Sequence, residues 1–402
     1  MMIGERSCKN ITGGDGLRMK ACTFEAPGLI IYGRGKSEEI GARAKNLGAA
    51  TAVVISDKNI VKTGIVHNLC QLLKGERIEV TTFDGVDGEP SVETIKKCMS
   101  AVTRVEPDVI VGVGGGSCLD TAKTVAVLLK MGGNVRDYIG IGKVPAKGLP
   151  MILLPTTAGT GAETTPNAII ADKAAKSKEA IVSRYLLPDV AIVDPSFTDT
   201  VPPRVAAFTG VDAFTHALEC YVSRKASPFT DVITLEAIRL IAHNLKKARD
   251  DRSDKEARDK VAFGSLLGGL AITNSGTGGV HALAYPLGSM FGVPHGLSNA
   301  VMLPWVSEFN LTACLFRFAR VAAYMGEDTE GLSIENAACR ALSRIRKLLA
   351  DVQVPTRLTD VGIRKEDIPI LTESAAKVTR LLENNPREMD ITDIKVIYEN
   401  AL

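Results

Sequence analysis

The residues best suited to chemistry are one aspartate and three histidines in the second half of the chain. Asp212 and His216 are four residues apart in GVDAFTHALECY, so a helix places both on one face. His281 lies in GGVHALAYPLG and His295 follows in GVPHGLSNA. These stretches are apolar and glycine-rich, where an unpaired imidazole or carboxylate is costly to bury. Any one of these residues alone can be a buried polar side chain with satisfied hydrogen bonds, but the set of four favours a divalent metal such as Fe²⁺ or Zn²⁺.

A glycine-rich turn is the second candidate for chemistry. The sequence GVGGGSCLDTAK follows a strand-like run, and Gly114, Gly115 and Gly116 let the backbone approach a bulky anion. A helix starting near Ser117 directs free N–H groups at that anion, and Asp120 stands at the spacing of a capping box. The turn matches neither GxGxxG nor a Walker A loop. We interpret it as a pyrophosphate site, with a tight turn that binds nothing as the alternative.

Two further segments have side chains suited to a nucleotide. Asp57 ends the strand-like run ATAVVIS, where a carboxylate accepts hydrogen bonds from ribose hydroxyls and favours NAD over NADP. The alternative for Asp57 is the N-cap of the helix that follows. The stretch PTTAGTGAETT, residues 155–165, offers hydroxyl groups for phosphate or ribose contacts. Its alternative is a polar loop after a strand.

The pattern of elements changes at the middle of the chain. Residues 20–200 alternate strand-like and helix-like segments, which predicts an α/β dinucleotide-binding domain with a parallel sheet and right-handed crossovers. Residues 201–402 read as long helices and are predicted to form an all-α metal-binding domain. Residues 1–19 lack the apolar region of a signal peptide, and we expect them to be an extension. The cleft between the two domains is the expected ligand site.

Composition excludes several classes of protein. The chain has 402 residues, 45% of them hydrophobic and 23% charged, which predicts two or three folded domains and excludes disorder. Lys and Arg number 48 against 46 Asp and Glu, a balance that argues against nucleic-acid or membrane-surface binding. No apolar run is long enough for a membrane span. The eight cysteines are scattered without a CxxC pair, which predicts a reducing compartment and a cytoplasmic protein.

Five stretches together resemble the iron-containing (group III) alcohol dehydrogenases, which are related in fold to dehydroquinate synthase and glycerol dehydrogenase. They occur in family order and span nearly the whole chain from about Phe24: GVGGGSCLDTAK, PTTAGTGAETTP, LLPDVAIVDP, GVDAFTHALECY and GGVHALAYPLGSMFGVPHGLSNAVMLP. The last two are the most specific. The resemblance implies a dehydroquinate synthase-like fold and a set of four metal ligands: Asp212, His216, His281 and His295.

The resemblance also assigns the cofactor site. It implies that residues 114–117 hold the pyrophosphate and that five side chains surround the cofactor: Asp57, Thr156, Thr157, Thr160 and Lys178. The chain departs from the family at Tyr285, where many members carry a second histidine four residues after the first. In the family that histidine is a candidate proton relay, and the Tyr285 hydroxyl can either take that role or merely pack. Asn167 resembles the residue of members acting on small hydroxyaldehydes, which indicates a small polar substrate.

These features predict an oxidoreductase. Hydride would pass between C4 of NAD and the carbinol carbon of a small primary alcohol or aldehyde, with Fe²⁺, or Zn²⁺ or another divalent metal, as the Lewis acid. The family resemblance implies a homo-oligomer, a dimer or larger. The first alternative is a reductase of a carbonyl acid, of the maleylacetate or hydroxyacid–oxoacid type. A lyase of the dehydroquinate synthase type, a metallohydrolase and a non-catalytic nucleotide-binding protein are the others.

Overall fold

A parallel sheet forms the centre of the N-terminal half. The structure, a computed structural model, describes residues 21–88, 90–172 and 177–402, so the predicted extension 1–19 lies outside the described residues. The six-stranded sheet has the order β1-β9-β6-β4-β2-β3 with parallel pairs, and a smaller sheet has the order β5-β8-β7. The strands are β1 Leu29–Tyr32, β2 Thr51–Ile55, β3 Glu79–Phe83, β4 Val109–Gly114, β5 Gly140–Ile141, β6 Met151–Pro155, β7 Asn167–Asp172, β8 Ser177–Val182 and β9 Val190–Val193.

Helices cover both faces of the larger sheet. The central strand β4 is buried at every residue, as expected for an apolar strand between two helical layers. One layer packs through residues such as Leu69 and Leu73, and the other through Leu119 and Val125. The helices of this half are α1 Ile40–Asn46, α2 Lys58–Lys62, α3 Ile65–Gly75, α4 Val92–Val102 and α5 Gly116–Met131. The carboxyl ends of the strands therefore meet at one edge of the sheet, the usual ligand edge of such folds.

The second half is helical, and its packing builds the largest apolar core. Ser227 caps α7 and Pro228 occupies its first turn, so the sequence marks the start of that helix. The helices are α6 Pro203–Val222, α7 Pro228–Asp250, α8 Lys255–Ser275, α9 Gly279–Phe291, α10 His295–Leu311, α11 Leu315–Tyr324, α12 Ile334–Asp351, α13 Ile368–Ala376, α14 Thr379–Leu382 and α15 Ile391–Ala401. The predicted fold class, a parallel α/β half followed by an all-α half, is confirmed. No described helix has the length and apolar character needed to cross a membrane.

The two halves touch through a pair of glycines. The loop after β6 packs on α8 so closely that a Cβ built on Gly161 lies 2.4 Å from the Cα of Gly269. A Cβ on Gly269 would lie 2.6 Å from the Gly161 carbonyl oxygen. Beside this pair, the Thr273 hydroxyl donates a 2.7 Å hydrogen bond to the Thr164 carbonyl. The Gly161–Gly269 contact therefore sets the distance between the loop after β6 and the helical half.

Candidate active site

Three helices bring the four predicted metal ligands together. Asp212 and His216 lie on α6, His281 on α9, and His295 is the first residue of α10; each offers an atom within 4.8 Å of the others. Asp212 Oδ1 lies 3.7 Å from His216 Nε2 and 3.7 Å from His295 Nε2. It lies 3.8 Å from His281 Nε2. Ligands around a tetrahedral ion with bonds of about 2.1 Å are separated by about 3.4 Å, so the spacing fits one divalent cation.

The electrostatics of the four residues also fit a cation. Burial lowers the pKa of His216 to about 4 and that of His295 to about 3, so both imidazoles are neutral at neutral pH. Burial acts to raise the pKa of Asp212, but the facing histidines and the Asn299 amide outweigh it, and the pKa lies below its ordinary value. A carboxylate among neutral imidazole lone pairs is the protonation state in which such residues bind a metal.

Asn299 provides a separate indication of a cation site. Its side-chain Nδ2 lies 2.6 Å from Asp212 Oδ1, 3.1 Å from His281 Nε2 and 3.3 Å from His295 Nε2, although it is fully buried. Its Oδ1 has no hydrogen-bond partner among the described residues. The NH₂ group of one amide thus faces three atoms that carry lone pairs. The cluster has more acceptors than donors, as a site built for a positive ion requires.

Two outer contacts orient the imidazoles. His281 Nδ1 lies 2.5 Å from Glu219 Oε2, and the other oxygen of Glu219 accepts a 2.6 Å hydrogen bond from the backbone N–H of Val280. His216 Nδ1 lies 3.2 Å from the Gly159 carbonyl oxygen. When Nδ1 carries the proton in these contacts, the Nε2 lone pair of each ring faces the cluster. Sequence reasoning missed Glu219 and Asn299, although each stands three or four residues after a predicted ligand on the same helix.

A large cavity adjoins the cluster. Its volume is about 860 Å³. Among the residues that the sequence analysis singled out, it is lined by Gly116, Ser117, Thr160, Asn167, Lys178, His216, His281, Tyr285 and His295. The other predicted cofactor residues do not line it: Asp57, Gly114, Gly115, Thr156 and Thr157. The structure therefore places the predicted metal ligands and part of the predicted cofactor site at one cavity.

The glycine-rich turn connects β4 to α5 at this cavity. Gly114 ends the strand with φ 148°, and a Cβ there would lie 2.6 Å from Cys118 Sγ. Gly115 is the N-cap and Gly116 begins the helix, one residue before the predicted Ser117. The predicted capping box is wrong, because the Asp120 carboxylate instead accepts a 3.0 Å hydrogen bond from the Ile169 N–H. The N-cap and the first residue of α5 both lack side chains, and a helix N-terminus of this kind suits a phosphate.

Asp57 has the geometry of a helix N-cap, the alternative to a ribose contact. Its Oδ1 accepts hydrogen bonds from the N–H groups of Asn59 at 2.8 Å and Ile60 at 3.1 Å, as an N-cap does. Its Oδ2 lies 3.5 Å from Cys118 Sγ, beneath the glycine-rich turn. The Thr156 hydroxyl, after β6, is buried and has no hydrogen-bond partner in the part of the chain that the structure describes. A ribose contact by Asp57 remains a prediction.

Tyr285 lies beside the metal-ligand cluster. Its ring centroid is 6.2 Å from that of His295, and Lys178 Nζ is 5.8 Å from the Tyr285 ring centroid. Burial raises the pKa of Tyr285, while the charge of Arg380 acts in the opposite direction. Its hydroxyl is therefore protonated at neutral pH and able to donate a hydrogen bond.

A buried lysine that the sequence analysis did not single out supports the cavity wall. Lys123 is fully buried, and its Nζ donates to the Thr165 carbonyl at 2.9 Å and to the Asn167 carbonyl at 2.7 Å. Its Nζ also lies 3.5 Å from Asp120 Oδ1, at the cavity. Lys123 thereby holds the strand that carries Asn167.

Comparison with known proteins gives similarity over the whole length of both halves. The protein-family model described as "Iron-containing alcohol dehydrogenase" matches residues 27–195. A second family model, described as "Fe-containing alcohol dehydrogenase family, C-terminal", matches residues 206–402. A long-chain-alcohol dehydrogenase of Geobacillus thermodenitrificans is 42% identical over 95% of this chain and 97% of its own. An NAD-dependent methanol dehydrogenase of Bacillus methanolicus is 34% identical over 94% and 99%. A crystal structure of a 1,3-propanediol oxidoreductase superposes with a TM-score of 0.93 at 36% identity, covering 95% of this chain and 100% of that one.

Proposed function

Because the chain belongs to the iron-containing alcohol dehydrogenase family, we propose that it transfers hydride between NAD(H) and a small primary alcohol or its aldehyde. The chain is an oxidoreductase acting on CH–OH groups. The observation that carries the proposal is the convergence of Asp212, His216, His281 and His295 within 4.8 Å beside a cavity that also reaches the first turn of α5. The NAD dependence of the methanol dehydrogenase relative supports the choice of cofactor.

The four converging residues would hold Fe²⁺, with Zn²⁺ or another divalent ion as the alternative. When bound, this ion supplies a Lewis acid for the alcohol oxygen, and NAD supplies the hydride acceptor. The side chain of His295 is 30% exposed, whereas those of His216 and His281 are 4% and 3% exposed. All three histidines line the cavity, but His295 is the most exposed of them, so we propose that the substrate approaches from the His295 side. Glu219 and the Gly159 carbonyl keep the imidazoles turned inward.

The cofactor would lie along the N-terminal wall of the cavity. We assign the pyrophosphate to Gly114–Ser117 and the surrounding contacts to five side chains: Asp57, Thr156, Thr157, Thr160 and Lys178. The Tyr285 hydroxyl is positioned to exchange a proton near the reacting centre, and we propose it as the relay. We assign Asn167 to the substrate, because it lines the cavity on the strand that Lys123 fixes.

The test is NADH oxidation by a panel of short aldehydes. We expect turnover with the metal-replete protein, loss of turnover after chelation, and recovery on adding Fe²⁺ under anaerobic conditions. Hydrolysis without a nicotinamide would favour the metallohydrolase alternative. Binding of NADH with no turnover of any aldehyde would favour a non-catalytic nucleotide-binding protein.

Replacing Glu219 with glutamine should weaken metal binding. The glutamine side chain carries no charge, and only its oxygen, not its NH₂ group, can accept the proton of His281 Nδ1. The imidazole ring therefore loses its fixed tautomer. Loss of such an outer partner costs about 10–100-fold in metal affinity. Competition against a chromophoric chelator measures the affinity, and Glu236→Gln, at an exposed ion pair on α7, is the control. Equal affinity in the wild type and Glu219→Gln would contradict the orienting role.

Replacing Asp57 with glycine should relax the preference for NAD over NADP. The carboxylate that repels a 2′-phosphate is lost, and so is the side-chain cap of α2, but glycine is itself tolerated at an N-cap, so the loss of stability is only roughly a few tenths of a kcal/mol. Asp57→Ser is the matched variant, because serine keeps the cap and removes the charge. Steady-state kcat/KM for the two cofactors is the measurement. If the ratio of kcat/KM for NAD to kcat/KM for NADP is unchanged in both variants, the ribose contact is refuted.

We also propose a homo-oligomeric, cytoplasmic protein. The seven described cysteines are free thiols, a state typical of a reducing compartment. The oligomer is what the family resemblance implies, and sedimentation velocity measures it.

A further inference from the structure

The helical wall of the cavity carries two basic side chains that the proposed hydride transfer does not use. Arg380 on α14 and Lys225, between α6 and α7, both line the cavity. Among the described residues that line the cavity, Asp120 is the one carboxylate, and it lies on α5 in the opposite half. Burial raises the pKa of Asp120, which disfavours its charged form. The helical end of the cavity is therefore positively charged.

Arg380 lies close to the reacting centre. Helix α14 packs against α9, which carries both His281 and Tyr285. Arg380, Tyr285 and His295 line the same cavity, and the ring centroids of Tyr285 and His295 are 6.2 Å apart. The guanidinium and the metal-ligand cluster therefore face one cavity, with Tyr285 beside the cluster. A group held by Arg380 would lie within a short carbon chain of an alcohol oxygen at that cluster.

Two other partly buried arginines pair with carboxylates, whereas Arg380 pairs with none of the described residues. Arg317 pairs with Asp231 at 2.7 Å, and Arg34 pairs with Asp199 at 2.8 Å. No ion pair joins Arg380 to a carboxylate within 4.0 Å in the part of the chain that the structure describes. A guanidinium has five donors arranged to match a planar anion, and no side-chain hydrogen bond from Arg380 to another described residue occupies them.

We propose that Arg380 binds a carboxylate or sulfonate at the far end of the substrate, so that the preferred substrates are short aldehydes with an anionic terminal group. This inference rests on the proposed function and names its substrate class. Charge-assisted hydrogen bonds from arginine to such groups are strong and directional. Lys225 is exposed, and it adds attraction for an anion before binding. The cofactor pyrophosphate is assigned to the first turn of α5, in the opposite half.

The test uses pairs of aldehydes that differ in terminal charge. Holoenzyme is assayed with butanal against 4-oxobutanoate, and with propanal against sulfoacetaldehyde, which separates carboxylate from sulfonate recognition. We expect wild-type kcat/KM to favour the anionic member by about tenfold or more. Arg380→Met keeps the length of the side chain and removes its charge, so kcat/KM for the anionic member should fall about 10–100-fold. The loss for the neutral member should be much smaller, and Arg380→Lys should recover part of the preference.

Arg340→Met, at an exposed position of α12, is the control and should behave as wild type. Equal kcat/KM for both members of each pair in the wild type would overturn the inference while leaving the proposed function intact. An equal loss of kcat/KM for the anionic and the neutral aldehyde in Arg380→Met would also overturn it. So would an effect of this substitution that is confined to KM for NADH. If the holoenzyme reduces none of the four aldehydes, the proposed function fails and calorimetric binding of succinate decides the inference. Weaker binding to Arg380→Met then supports it, and equal binding contradicts it.

Discussion

Replacing His281 with alanine is expected to abolish both metal retention and turnover. The ring is buried, its Nε2 faces Asp212 at 3.8 Å, and its Nδ1 contacts Glu219 at 2.5 Å. Its removal takes away one ligand and leaves the Glu219 carboxylate buried without that partner. A metal Lewis acid supplies several kcal/mol of transition-state stabilisation, so kcat/KM should fall by about a thousandfold or more.

Metal content per chain, measured on anaerobically purified protein, is the first readout, and NADH-linked aldehyde reduction is the second. His67→Ala, at an exposed position of α3, is the histidine control and should keep both its metal content and its aldehyde reduction. Circular dichroism shows whether the helical half remains folded. Wild-type turnover by a metal-depleted His281→Ala protein would refute the Lewis-acid role.

Replacing Gly269 with valine should disturb the spacing of the two halves. A Cβ at this position would lie 2.3 Å from the Thr164 hydroxyl oxygen and 2.6 Å from the Gly161 carbonyl oxygen. The loop after β6 must then move away from α8, and Thr160 at the cavity moves with it. Forced overpacking costs about 1–3 kcal/mol of stability. A displacement of about 1 Å between cofactor and substrate groups costs about 100-fold in rate, which we expect to see in kcat/KM.

The neighbouring glycine gives a matched control for this substitution. A Cβ on Gly268 would meet its nearest atoms, the Ala213 carbonyl oxygen and His216 Cβ, at 3.4 Å and 3.5 Å, which are ordinary contacts. Alanine is also the better helix former, so Gly268→Ala should be neutral or stabilising by up to about 1 kcal/mol. Urea unfolding and kcat/KM are measured for both variants. Wild-type stability and kcat/KM in Gly269→Val would show that the glycine contact does not set the spacing.

The strands and the order of the two halves could be predicted because they depend on local pattern. The β-branched run ATAVVIS contains β2, and DVIVGV contains most of β4. The pairing of Asp212 with His216 follows from helical spacing alone. Their proximity to His281 and His295 does not, because it depends on how α9 and α10 pack against α6. The residue types suggested a shared metal, and the family resemblance indicated the set of four ligands.

Other site features depend on contacts that no single segment contains. Glu219 matters because it faces His281 across two helices, and Asn299 because it faces Asp212. Arg380 lies on the short helix α14, far from every motif, and only the packing of α14 on α9 brings it to the cavity. The predicted capping box is wrong because the Asp120 carboxylate accepts a hydrogen bond from the N–H of Ile169, a residue far from it in sequence.

The unequal exposure of the ligands bears on how the metal enters and leaves. Asp212 is 2% exposed, whereas His295, which lines the cavity, is 30% exposed, so the described residues leave the cluster accessible from the cavity. The ion, the cofactor and the substrate would then share one passage. A cofactor lodged in that passage would trap the ion behind it, and release of iron to a scavenging ligand would then be governed by how often the nucleotide departs.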